Sequence, residues 1–121
     1  VGGLIVGHEL ARALGARAIF AEKENDNLVL RRGFFLRKGE KVVVAEDVVT
    51  KGGRSQQTID LVRACGAEVL ALAVIVDRSG GDAKFDVPFH SLLKLRVQTW
   101  TKDECPLCAK GISLVKPGSK F

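Results

Sequence analysis

Methionine and tyrosine are absent from this 121-residue chain, tryptophan occurs once and proline three times. So little proline excludes a collagen-like or polyproline chain, and a hydrophobic share of 46% excludes a disordered one. Cysteine is also scarce: three thiols are too few for a disulfide scaffold, and their odd number points to reduced thiols. No apolar run approaches the roughly 18 residues of a membrane span, and the chain does not open on the charged start of a signal peptide. The expectation is a cytoplasmic protein with no membrane partner. The lack of an initiator residue, with Val1-Gly2-Gly3 opening inside an apolar segment, leads us to expect a fragment or trimmed chain.

At this length one core domain over residues 1–121 is expected, burying roughly two-thirds of its unfolded surface. Nineteen basic against fourteen acidic residues leave a net charge of +5, which suits a small anionic ligand as well as nucleic acid. Basic residues gather at Arg31-Arg32, Arg37-Lys38 and Lys41, but Phe34 and Phe35 are the only aromatics among them and no RNA-binding signature is present. This reads as a solvated or phosphate-steering edge, with no nucleic-acid partner.

Val6, Leu10, Ala13 and Leu14 fall on one face of a helix that Gly15 ends. Residues 16–21 read as a short strand and 23–27 as a polar, mobile loop. Residues 28–30 and 34–36 flank Arg31-Arg32-Gly33 as a small hairpin. The continuous apolar run Val42-Val43-Val44-Ala45 fits a parallel strand covered on both faces. A loop over residues 50–55 leads to a helix lined by Ile59, Val62 and Cys65, and residues 69–76 form a second buried strand. Together these make a right-handed βαβ unit. Leu93, Leu95 and Val97 alternate with polar residues as a strand with one wet face. The expected class is α/β, a mostly parallel central sheet flanked by helices.

Glu46 and Asp47 come directly after the apolar run. Two unpaired acids inside a core strand are costly, so they are expected at its carboxyl end, where open α/β sheets bind ligands. Exposed acids at a strand end are common by themselves, but a glycine-rich segment directly after them is not. Gly52-Gly53 lets backbone N–H groups turn inward, Thr50 and Ser55 bring hydroxyls, and a helix N-terminus comes next. This is a phosphate cradle, distinct from a Walker loop and from the dinucleotide fingerprint. Acids that accept two hydroxyls, next to a monophosphate site, describe a ligand such as ribose 5-phosphate.

The stretch 42–55 resembles the phosphoribosyl diphosphate signature of type I phosphoribosyltransferases. Among these the match is nearest to the members that use orotate, through Glu46-Asp47-Val48-Val49-Thr50, Leu30-Arg31-Arg32-Gly33-Phe34, Cys105-Pro106-Leu107-Cys108 and Lys116-Pro117-Gly118-Ser119. It implies transfer of a phosphoribosyl group from phosphoribosyl diphosphate to orotate, giving orotidine monophosphate and diphosphate, in pyrimidine biosynthesis. By this resemblance Glu46 and Asp47 hold the ribose hydroxyls, and Thr50, Lys51, Gly52, Gly53, Arg54 and Ser55 wrap the 5-phosphate. Gly2-Gly3 falls in a small loop under the diphosphate. Lys23 matches a catalytic, diphosphate-binding lysine at the base of a flexible loop, and Arg78 an arginine near orotate. Lys51 stands where the family more often has threonine, and Arg54 where it has no arginine. The loop after Lys23 lacks the family's Lys and His pair, for which Arg31 or Arg32 is a candidate substitute. The resemblance further implies Mg²⁺ bridging ribose and diphosphate with few or no protein ligands, and a homodimer with shared active sites. It also implies a missing N-terminal hood, so that the 121 residues alone bind donor yet turn over orotate negligibly.

Two other readings stay open, a purine-base acceptor and a receiver-like signalling domain in which Glu46-Asp47 is the acidic pocket. Cys105-x-x-Cys108 is half a zinc knuckle without its second half and reads as reduced thiols. His90 reads as structural.

Overall fold

The computed structural model describes residues 2–101, 103–113 and 115. Lys116-Pro117-Gly118-Ser119 therefore lies outside the described residues. In chain order the elements are α1 (Gly2–Leu14), β1 (Ala21–Glu24), β2 (Asn27–Leu30), β3 (Lys41–Val49), α2 (Gly53–Ala64), β4 (Glu68–Asp77), β5 (Phe89–Lys94) and α3 (Pro106–Ala109).

The β-branched runs of β3 and β4 pair in parallel from Lys41↔Glu68 to Val49↔Asp77, with an irregularity between Val42 and Val43. β5 adds to β4, also in parallel, from Leu72↔Phe89 to Asp77↔Lys94, giving the order β3-β4-β5. The expected βαβ unit is β3-α2-β4. Val44, Val49, Leu72 and Val74 meet Ile59 and Val62 of α2 in one buried core. The next residue along β3, Ala45, points the other way, toward Gly7 of α1. The two helices therefore cover opposite faces, as a continuously apolar strand requires. Beyond α1 that face is only partly covered: a hollow of about 320 Å³ lies between Val6 and Leu10 and the strand residues Ala73, Ile75, Ser91 and Leu92.

Several expectations are corrected. α1 begins at Gly2, four residues before the apolar repeat. Residues 16–20 are not a strand; Ala21 starts β1. The polar segment expected to be a mobile loop is a two-stranded antiparallel ribbon, Ala21↔Leu30 to Glu24↔Asn27. Its turn is Asn25-Asp26, with φ of 46° and 67°, the mirror-image geometry that suits right-twisted hairpins and that short polar side chains tolerate. Arg31-Arg32-Gly33 does form a turn, closed by the Phe34 N–H on the Arg31 carbonyl at 2.9 Å, but its flanks do not pair as strands. β5 starts at Phe89 and ends at Lys94, so only Leu93 and Lys94 of the alternation belong to it; beyond it the Leu95 N–H donates to the Asp77 carbonyl at 2.7 Å and Arg96 bridges to Ser79. No helix among the described residues is long and apolar enough to cross a membrane.

Candidate active site

Glu46 and Asp47 lie within the last four residues of β3, at its carboxyl end as expected, though still paired within the strand. The first turn of α1 packs directly against them. A Cβ on Gly2 would stand 1.9 Å from Asp47 Oδ2, and one on Gly3 2.6 Å from Glu46 Oε2. This stretch of α1 is thus pressed against both carboxylates, and only residues without side chains permit that approach. Gly2 and Gly3 belong to this helical turn, not to a loop. Partial burial pushes the Glu46 carboxyl above the usual carboxylate range and neighbouring Asp47 pushes the same way, while Arg54 pulls it back.

After Val49, residues Thr50, Lys51 and Gly52 make a short link into α2. Gly52 is the N-cap at φ 81°, ψ −9°, and no side chain caps the helix. The helix's first amide groups therefore lack the side-chain acceptor that usually occupies them, which is the geometry of an anion site. Gly53, Arg54 and Ser55 are already helical, so the cradle is a three-residue link plus a first turn. Ser55, in that first turn, is only 2% exposed. The left-handed glycine is Gly52 and not Gly53, where a Cβ would meet nothing within 4 Å. At Gly52 a Cβ would come within 3.0 Å of the Phe85 ring. Gly52→Val is therefore expected to abolish protection of the protein against heating by ribose 5-phosphate and to cost about 1–3 kcal/mol of backbone strain. Gly53→Ala should leave the fold intact; thermal shift with and without the ligand checks both.

Arg78 follows β4 and donates its backbone N–H to the Val49 carbonyl at 2.8 Å, which fixes it at the same sheet end as the cradle. Lys23 is elsewhere, on β1, its ammonium paired with Asp26. Arg31 pairs with Glu24 and Arg32 with Glu22, and the Arg32 bond holds the Glu22 carboxyl below its usual range. The substitute cations considered for the diphosphate are thus already partnered. Sequence reading brought Glu46, Asp47, the cradle and Arg78 to one sheet end, where the structure has them. It missed the glycine contacts of α1, the Ala83 and Phe85 seat under Gly52, and Asp77.

Cys105 and Cys108 bracket the first turn of α3, where the amides of Cys108 and Leu107 and the Cys108 thiol draw the Cys105 thiol down. Among the described residues no three His, Cys, Asp or Glu side chains gather as a metal site. Cys105→Ser combined with Cys108→Ser is expected to leave ribose 5-phosphate binding unchanged, which calorimetry reads directly.

A family profile described as a phosphoribosyl transferase domain matches residues 1–107. The chain belongs to the phosphoribosyltransferase family. Among curated proteins, orotate phosphoribosyltransferase of Caldanaerobacter subterraneus subsp. tengcongensis is 54% identical over 120 residues, and that of Thermotoga maritima 51%. Both alignments cover 99% of this chain, but 63% and 64% of those proteins, so the chain spans somewhat under two-thirds of their length. Among solved structures, adenine phosphoribosyltransferases of Thermoanaerobacter pseudethanolicus and Rhodothermus marinus superpose with TM-scores of 0.65 and 0.60. Both are 22% identical; each match covers 78% of this chain, and 66% and 65% of those chains. These two likenesses carry the fold. For this phosphoribosyltransferase, the parallel sheet and the helices on its two faces agree with them.

Proposed function

We propose that this phosphoribosyltransferase chain forms the donor-binding core of an enzyme that transfers the phosphoribosyl group of phosphoribosyl diphosphate to orotate, releasing diphosphate and orotidine monophosphate. The observation that carries the donor half is the pair Glu46 and Asp47, one link ahead of an uncapped helix N-terminus. The choice of orotate rests on the relatives' names.

Glu46 and Asp47 accept the two ribose hydroxyls, which return to a partly desolvated carboxylate the hydrogen bonds it lost on burial. The 5-phosphate sits on the first amides of α2, with Thr50, Lys51 and Arg54 around it. The bond from C1 of the sugar to the diphosphate breaks as the orotate nitrogen attacks, through a sugar with oxocarbenium character. The protein's contribution is alignment of the two substrates and neutralisation of the leaving group. Arg78 offers a guanidinium to the orotate carboxylate, and Lys23 an ammonium to the diphosphate. Mg²⁺ would supply neutralisation of the leaving diphosphate's charge, and Glu46 and Asp47 are the adjacent carboxylates that would face it; magnesium commonly binds through one or two carboxylates plus substrate oxygens. A homodimer that brings Lys23 to the neighbouring site, in the cytoplasm, completes the proposal.

The test is a spectrophotometric assay of orotate consumption with phosphoribosyl diphosphate and Mg²⁺, run with adenine in parallel, on the 121 residues and on a chain of the relatives' length. Orotate consumption by the longer chain, abolished in Asp47→Asn, supports the proposal. Adenine consumption instead moves the protein to the purine reading, and binding of acetyl phosphate without ribose 5-phosphate to the receiver reading.

A further inference from the structure

Asp77 is the last residue of β4, is fully buried at 0% exposure, and has no part in the chemistry proposed above. Its Oδ1 accepts the Ser79 N–H at 2.8 Å and the Ser79 hydroxyl at 2.6 Å. Because that hydroxyl donates to Asp77, its lone pairs face outward and accept the N–H groups of Gly81 and Ala83 at 3.1 and 3.0 Å. One carboxylate therefore orders six residues of loop in two tiers.

The ends of that loop touch the two halves of the candidate site. At one end lies Arg78, held by its backbone bond to Val49, the residue before the phosphate link. At the other, Ala83 and Phe85 lie 3.6 and 3.0 Å from where a Gly52 Cβ would be, and Phe85 is in turn set edge-on against Phe89 at 5.0 Å. Asp77 Oδ2 is buried without a partner. A group that only filled the core would not be a half-satisfied carboxylate, since burying an acid in that state opposes folding.

We propose that Asp77 and Ser79 are positioning residues: a buried clamp that holds the Arg78 end and the Gly52 end of one loop in fixed register, so that acceptor and donor are aligned together. The naming of the two ligands rests on the proposed function; the clamp does not. Alignment is where such a device acts, because a displacement of about 1 Å can cost about a hundredfold in rate.

The test compares Ser79→Ala, Ser79→Thr and Asp77→Asn with wild type. It reads orotate KM, ribose 5-phosphate affinity by calorimetry, and amide exchange at Gln56 and Gln57, in the first bonded turn of α2, and at Gly81 and Ala83. Ser79→Ala is expected to weaken both ligands about tenfold, to lower kcat/KM by up to about a hundredfold, and to speed exchange at Gln56, Gln57, Gly81 and Ala83. Ser79→Thr, which keeps the hydroxyl, restores them. In an Arg78→Ala background Ser79→Ala should raise orotate KM no further. If Ser79→Ala does not fold, Asp77→Asn keeps the Oδ1 acceptor without its charge and should show the same losses at reduced size. Faster exchange at Gly81 and Ala83 with unchanged exchange at Gln56 and Gln57 and unchanged affinities overturns the clamp. Should wild type consume no orotate while Ser79→Ala still loses ribose 5-phosphate, the orotate reading falls and the clamp stands. If wild type binds neither ligand, exchange at Gln56 and Gln57 alone decides.

Discussion

Asp47→Asn and Glu46→Gln are each expected to weaken binding of phosphoribosyl diphosphate by about 1.5–3 kcal/mol, the worth of a charge-assisted hydrogen bond to a ligand hydroxyl. Calorimetry measures this, and unchanged affinity in both variants would sink the ribose assignment. For Glu46 the effect on stability should have the opposite sign. Burial, with Asp47 adding to it, raises the Glu46 carboxyl above its unfolded value, so the folded protein holds a proton that the unfolded chain has released. The stability linked to that proton is full below the ordinary glutamate range and is lost as pH rises through the raised value. At neutral pH wild type has lost it and glutamine has not. Glu46→Gln should therefore melt slightly above wild type at pH 7, with the difference shrinking as pH falls toward 4. A variant that is more stable and binds less donor separates a site residue from a packing one.

Gly2→Val is expected to reduce donor affinity at least as much as Asp47→Asn. A side chain there would begin 1.9 Å from Asp47 Oδ2, 2.6 Å from its Cγ and 3.0 Å from its Cβ, so no rotation of the carboxylate alone relieves the overlap. Either Asp47 leaves the ribose position or the first turn of α1 lifts from β3. Gly7→Ala is the control. It lies on the same helix, and its Cβ would make an ordinary 3.8 Å contact with the Ala45 methyl. It should keep full donor binding and stabilise the protein by about 0.5–1 kcal/mol through helix propensity. Equal donor affinity in Gly2→Val and wild type would show that the contact of α1 with the acids is dispensable.

The parallel sheet was legible because Val42-Val43-Val44-Ala45 and the second apolar run can be satisfied only by cover on both faces, and one βαβ unit between them supplies it. Glu46, Asp47 and the cradle were legible because buried acids and paired glycines are costly anywhere else. The ribbon was not. Ala21-Glu22-Lys23-Glu24 has no alternating apolar face, and it is paired through the backbone ladder with β2 and flanked by ion pairs such as Arg32 with Glu22, which a hydrophobic period cannot register. The Asn25-Asp26 pair was the available signal. Which of Gly52 and Gly53 is left-handed was illegible for a different reason. Where a helix begins decides which glycine needs the left-handed conformation, and helix ends are the least determined feature of a sequence. Asp77 gave no sign because its partner Ser79 is two residues away, and only burial distinguishes it from an exposed acid.

The ribbon of β1 and β2 is joined by Lys23 with Asp26, Arg31 with Glu24 and Arg32 with Glu22, all with well-exposed cations. At 1 M salt the reach of a charge contracts to about 3 Å, so these links weaken together while the Val44, Ile59 and Leu72 core does not. Concentrated salt thus turns the ribbon into the natural point of entry for a protease that cuts after basic residues, with nicks at Lys23, Arg31 and Arg32. The parallel sheet and α2 would survive as a resistant remnant, and bound diphosphate, if it engages Lys23, would slow the first cut.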